Sequence, residues 1–206
     1  DFLVFFAIVV SVYWRLTHRW QNIWLLGASY VFYGWVHPWF VILMLVSTTV
    51  DYSAAQRMED EPARRKRYLY ASLAVNLGML GVFKYYNFFV EAGTGLFQLF
   101  GVESEPGKYR LDLVLPVGIS FYTFQTLSYT IDVYRRKLAP VRSLSDFALF
   151  VTFFPQLVAG PIVRASEFLP QLVETRRFRS IEFRACLTLF FYGFLKKAVV
   201  ADNLAP

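Results

Sequence analysis

Tyr122, Gln125, Tyr129 and Asp132 follow one another at helical spacing, with Gly118 one turn ahead of them. Such spacing lays them in one stripe down a single helical face, and Thr123, Thr126 and Thr130 run close beside it. Phenols, an amide and a carboxyl can hold a polar substrate by hydrogen bonds. The same groups also serve as glue between packed helices, and for any one of them glue is the plainer role. A helix facing lipid would bear this much hydrogen-bonding capacity only at a cost, so the stripe faces the interior of a bundle or a polar cavity. Tyr122, Gln125, Tyr129 and Asp132 are therefore candidate linings of a cavity or tunnel.

A second group lies in "FVTFFPQLVAGPIV", residues 150–163. Pro155 removes a backbone donor, Gln156 places an amide in an apolar run, and Gly160-Pro161 ends any helix. The freed backbone groups cannot be satisfied by lipid, so the segment is buried in protein or lines a wet cavity. Gln156, Gly160 and Pro161 join the candidate lining residues.

Other chemistry is absent from the pattern. His18 sits in the basic stretch "RLTHRW" and His37 precedes Pro38 at a turn, and neither stands beside an acid or a nucleophile. Cys186, the one cysteine, lies in an apolar run and reads as a small packing residue. No glycine-rich phosphate loop and no metal-ligand spacing occurs, so no catalytic residue, metal or bound cofactor is assigned to this chain.

The elements that position these groups are apolar helices. Of 206 residues, 56% are hydrophobic, 19% aromatic and only 17% charged. Apolar runs long enough for a hydrocarbon core of about 30 Å recur, which predicts an all-α polytopic transmembrane helix bundle. The predicted spans are 2–14, 22–36, 39–55, 68–90, 118–134 and 181–200, with the broken stretch 147–163 between the last two. The net charge of +6 does not point to nucleic acid, because 16 of the 21 Lys and Arg fall in short loops at alternate connections, all on one side of the spans. That is the pattern of topology signals and contacts to anionic lipid. It predicts basic loops in the cytoplasm. Basic loops flank 147–163 on both sides, so that stretch is expected to be re-entrant rather than a kinked full span. Asp51, Lys84 and Glu91 also fall in apolar runs. Asp51 and Asp132 are expected near the basic loops, where Arg neutralises them, and Lys84 and Glu91 near the outer interface. The chain begins without Met and ends just after an apolar stretch, the pattern of a piece of a longer protein.

Four strings carry a resemblance: "SYVFYGWVHPWFVILMLVSTTVDY", "LPVGISFYTFQTLSYTIDVYRRK", "FFPQLVAGPIVRASEFLPQL" and "FYGFLKKAVVADNLAP". In this order they resemble successive segments of the membrane-bound O-acyltransferase family. The bacterial branch that acetylates exported polysaccharides such as alginate is the most similar, and it includes the D-alanyl transferases that act on teichoic acids. The resemblance implies a many-helix bundle around a cavity reachable from both sides of a bacterial inner membrane. It implies a cytoplasmic thioester donor (acetyl-coenzyme A or an acyl carrier) and an extracytoplasmic acceptor polysaccharide, reached with a partner transferase. The family's catalytic histidine belongs to a segment after "ADNLAP", and neither His18 nor His37 matches its motif. Residues 1–206 are then the N-terminal part of such a domain, inactive alone. D-alanyl transfer, or a transporter or scaffold without enzymatic activity, are the alternatives.

Overall fold

The computed structural model describes residues 1–35, 37–99, 110–112, 114–157, 160–176, 178 and 181–204. Most of the predicted outer connection 101–110, with Lys108, lies outside the described residues. So do Val36 at the end of the predicted span 22–36, Val158 and Ala159 of the broken stretch, and Arg177 and Arg179 of the last basic cluster.

Every regular element among the described residues is helical. The first unit, Asp1–Glu174, holds α1 (Phe2–Tyr13), α2 (His18–Gly34), α3 (Phe40–Asp60), α4 (Arg65–Leu80), α5 (Tyr86–Leu99), α6 (Ile119–Tyr134), α7 (Leu144–Thr152), α8 (Phe154–Leu157) and α9 (Ala165–Val173). A 3-10 turn, Pro62–Arg64, leads into α4, and a π turn, Gly81–Tyr85, joins α4 to α5. The second unit, Thr175–Pro206, is built on α10 (Phe183–Leu195), a π turn (Lys196–Ala201) and α11 (Asp202–Leu204). Cys186 on α10 is exposed rather than packed, as α10 buries none of its side chains.

The all-α class matches the expectation from sequence. The continuous helical stretch Pro62–Leu96, 35 residues long, is the one among the described residues both long and apolar enough to cross a bilayer. Shorter helices, or polar residues within them, keep the remaining predicted spans below that mark. α2 has 17 residues and α6 has 16, while α3 carries Ser47, Thr48, Asp51 and Gln56 along its length.

Those polar residues turn inward. α3, α4 and α6 pack on one another, and Ser47, Thr48, Asp51, Ser72, Asn76, Thr126 and Thr130 are all buried between them. Leu45, Val46, Tyr70, Leu77, Phe121 and Phe124 on the same three helices are exposed. Phe40, Met44, Met58 and Leu80 are buried on these helices too, so an apolar outside surrounds a mixed interior.

Asp51 is the centre of that interior, with no measurable exposure. The Asn76 side-chain amide donates to both of its carboxylate oxygens, at 2.9 and 3.0 Å, and the Ser72 hydroxyl donates to one. The Asn76 carbonyl oxygen in turn accepts from Ser47 at 2.6 Å. Arginine neutralisation of Asp51 is therefore corrected: no Lys or Arg forms an ion pair with it among the described residues. Serine and asparagine on the facing helix can reach it at bonding distance. The basic loops cannot follow it inward.

A carboxylate that loses its donors in such a place has nothing to replace them. Asn76→Ala is expected to lower stability by about 2 to 3 kcal/mol, read as a lower Tm of the purified full-length protein in detergent. Asp51→Asn, which removes the charge and keeps the shape, is expected to cost less. Equal Tm values for wild type and Asn76→Ala would contradict this account.

Candidate functional site

The broken stretch is not one helix. Ser143 caps α7, its hydroxyl accepting from the Asp146 amide at 3.3 Å. α7 stops at Thr152 because the Pro155 ring would meet the carbonyl of Val151 if the helix continued. Phe153 leaves helical geometry at φ −51°, ψ 105°. α8 then makes one turn, residues 161–164 run without helix, and α9 returns beside α7.

Asn22 on α2 shows that the two ends of this excursion meet. Its side-chain amide donates to the Asp146 carboxylate at 3.2 Å, at the start of α7, and to the Leu172 carbonyl at 3.0 Å, at the end of α9. The chain between them leaves and comes back at one level of α2. Two turns further along α2, about 10 Å away, the Ser29 hydroxyl accepts from the Phe154 amide at 3.2 Å, the first residue after the break. From the other side, Gln125 on α6 donates to the Phe150 carbonyl at 2.6 Å, in the last turn of α7. Phe154 packs its ring edge-on against Phe5 of α1, with centroids 5.4 Å apart.

The far end of the hairpin abuts the start of α6. Gly118, at φ 77°, is in the left-handed region, and a Cβ there would lie 2.9 Å from the Leu157 carbonyl oxygen. Gly160 closes the turn over Gln156 in the same way: a Cβ would come within 2.5 Å of the Gln156 backbone.

The stripe on α6 is thus divided among different tasks. Gln125 satisfies backbone of α7. The Tyr129 hydroxyl accepts from the Val141 amide at 3.0 Å and pins the loop before α7, with help from Tyr52 and Gln56, which donate to the Arg142 and Val141 carbonyls, each at 2.6 Å. Asp132 is only half-buried, and Pro161 is exposed. Tyr122 is fully buried, its ring at right angles to that of Tyr33 with centroids 6.4 Å apart. Their hydroxyls pair with each other, at looser geometry than the bonds above. The Thr123 hydroxyl and the Gln156 amide nitrogen are buried without a partner. A buried polar group left so costs about 1 to 3 kcal/mol. These two, in the first turns of α6 and on α8, join the tyrosine pair around the end of the hairpin. That is the candidate site: two phenols, a hydroxyl and an amide able to hydrogen-bond a small polar group. It holds no acid, base or nucleophile of its own, and no His, Cys, Asp and Glu cluster suited to a metal occurs among the described residues.

Sequence reasoning missed Asn22, Ser29 and Asp146. A signal was there, since Asn22 and Ser29 stand seven residues apart on one face of an apolar helix. Lys84 bonds Ser120 at 3.0 Å and Glu91 pairs with Arg110 at 3.5 Å, so neither reaches this site.

Comparison with known proteins adds the biological frame. The chain is 38% identical over 98% of its length to the probable alginate O-acetylase AlgI of Azotobacter vinelandii and covers 40% of that protein. It is 36% identical over 98% of its length to the protein of the same name from Pseudomonas aeruginosa, covering 39% of it. A peptidoglycan O-acetyltransferase of Helicobacter pylori is 34% identical over 89% of the chain, again with 39% of the relative covered. The chain thus spans about two fifths of the curated relatives it matches. No family model matches it. No solved structure matches it either.

Two substitutions test the hairpin. Gly118→Ala is expected to cost about 1 to 2 kcal/mol from its left-handed backbone alone, with a further penalty from the Leu157 carbonyl, measured as a drop in Tm. Asn22→Ala is expected to speed hydrogen exchange of the α9 amides while α3, α4 and α6 keep their protection. Unchanged exchange in α9 would mean that Asn22 does not fasten it.

Proposed function

We propose that the chain is the N-terminal part of a multi-pass bacterial inner-membrane enzyme of the membrane-bound O-acyltransferase family. In this reading the full-length protein moves an acetyl, or similarly small acyl, group from a cytoplasmic thioester donor to a hydroxyl of an extracytoplasmic polysaccharide. The observation that carries it is the similarity of nearly the whole chain to proteins named for O-acetylation of alginate and of peptidoglycan. Support for several membrane passes comes from the apolar outer faces and buried polar residues of α3, α4 and α6 and from the concentration of basic residues in every other connection between the spans.

Chemically, the donor's C–S bond breaks, a C–O ester bond forms, and the acceptor's hydroxyl proton ends on the departing thiol. No residue among 1–206 is given the role of moving that proton. The catalytic histidine that the family resemblance implies lies outside this chain. What this chain supplies is positioning. The hairpin reaches from the Asn22 level of α2 to the start of α6, and around its end the Tyr33–Tyr122 pair and the unpaired Gln156 amide offer hydrogen-bonding groups. These groups orient the acyl carbonyl on its path, at little cost in reorganisation, because the fold has already fixed them. Lipids cover the apolar outside, and a partner transferase outside the membrane completes delivery. The acceptor is alginate or a related exported glycan; the Helicobacter pylori relative favours peptidoglycan as the second choice.

The test is a transfer assay with the full-length parent in proteoliposomes, an acetyl thioester labelled on the acyl group, and an exported glycan outside. Wild type is expected to move label to glycan, and Tyr122→Phe and Gln156→Ala to slow it by about tenfold each, with Tm unchanged. Absence of transfer by wild type from either coenzyme A or carrier thioesters would overturn the reading. Wild-type rates in both variants would remove the hairpin end from the path.

A further inference from the structure

A cavity of about 340 Å³ opens where α3 and α6 end and α4 begins. Its wall carries Arg65, Arg136 and Lys137 against a single carboxylate, Glu59, while Leu138 and Ala139 add apolar surface. We infer that this cavity binds a phosphate group, its oxygens held by Arg65, Arg136 and Lys137 and its ester carbons lying on Leu138 and Ala139.

The backbone at Arg136 is the first reason. α6 closes with the Lys137 amide donating to the Asp132 carbonyl at 2.9 Å and the Arg136 amide to Val133 at 3.0 Å. That double bond pattern places Arg136 in the left-handed region, at φ 59°, where glycine is the usual occupant. No other non-glycine residue among the described residues has a positive φ. An arginine here costs conformational energy that a glycine would avoid. Strain retained at one position, with a charged side chain over a cavity, points to a role for the charge.

Arg65 is the second. Its guanidinium donates to the Val133 carbonyl at 2.6 Å, the same carbonyl at the end of α6 that accepts from the Arg136 amide. Its Nε remains buried without an acceptor. One arginine therefore offsets the negative end of α6 and still offers a donor, and no ion-pair partner occupies Arg136 or Lys137 among the described residues. A dianionic or diester phosphate supplies what the three lack, a compact set of acceptor oxygens. Neutral polar ligands would leave the positive charge uncompensated.

Two sources present this chemistry: the headgroup of an anionic phospholipid, and the phosphates of a soluble nucleotide thioester. The second rests on the acyl-transfer reading above, and the first does not. The experiment uses the full-length parent purified in detergent, with two probes. Native mass spectrometry counts phosphatidylglycerol retained after delipidation, and calorimetry measures binding of adenosine 3′,5′-bisphosphate. The variants are Arg136→Gly, which suits the left-handed backbone and so keeps or raises Tm, and Lys137→Gln. At least one probe is expected to bind wild type and to bind Arg136→Gly about tenfold more weakly. Phosphatidylglycerol alone identifies a lipid site; the bisphosphate alone identifies a donor site. Failure of both probes to bind wild type, or equal binding to wild type and both variants, overturns the inference. Should the parent transfer no acyl group while phosphatidylglycerol is still lost in Arg136→Gly, the enzymatic reading falls and the cavity's assignment stands.

Discussion

A helix that breaks in apolar surroundings exposes amides and carbonyls that nothing outside the chain will satisfy. α7 and α8 form such a break, and the rest of the first unit is arranged around it. Ser29 takes the Phe154 amide, Gln125 takes the Phe150 carbonyl, and Asn22 holds the start of α7 and the end of α9 together. Each of these side chains comes from a longer helix. The hairpin is therefore not a loose insertion but a segment whose backbone is completed by α2 and α6.

The same economy governs α3, α4 and α6. Around Asp51 the donors are uncharged, so the carboxylate is held by directed bonds rather than by a counter-ion. Because Asn76 contacts both carboxylate oxygens and Ser47 at once, α3 and α4 are locked in register. α6 can then present Gly118, Tyr122 and Gln125 to the hairpin at fixed heights. The Thr123 hydroxyl and Gln156 amide, both without a partner, lie at its end beside the Tyr33–Tyr122 pair.

Much of this was legible in the sequence, though not its meaning. Helical spacing placed Tyr122, Gln125 and Tyr129 on one face of α6, and all three are buried. Spacing reports which face, but not what it meets. Tyr129 meets Val141 and Gln125 meets Phe150, partners that only the fold brings near. Pro155 and Gly160-Pro161 announced a broken segment, and a break is what occurs. The pairs Ser47 with Asp51 and Ser72 with Asn76, each four residues apart in apolar runs, held the clue to the buried network. The expected pull of the basic loops on Asp51 failed because charge was weighed without direction. The π turn at Gly81–Tyr85 departs from the helical period between Leu80 and Tyr86, which spacing alone does not show.

Asp146 and Leu172 meet at Asn22, which predicts that the stretch between them enters and leaves on one side of the membrane. The most direct measurement is labelling of single cysteines with an impermeant maleimide in right-side-out and inverted vesicles. Ser145→Cys and Glu174→Cys are placed in turn into a full-length parent freed of its own cysteines, Cys186 included. Labelling of both from the same face is the result the account requires. Labelling from opposite faces would make the stretch a full crossing and contradict it.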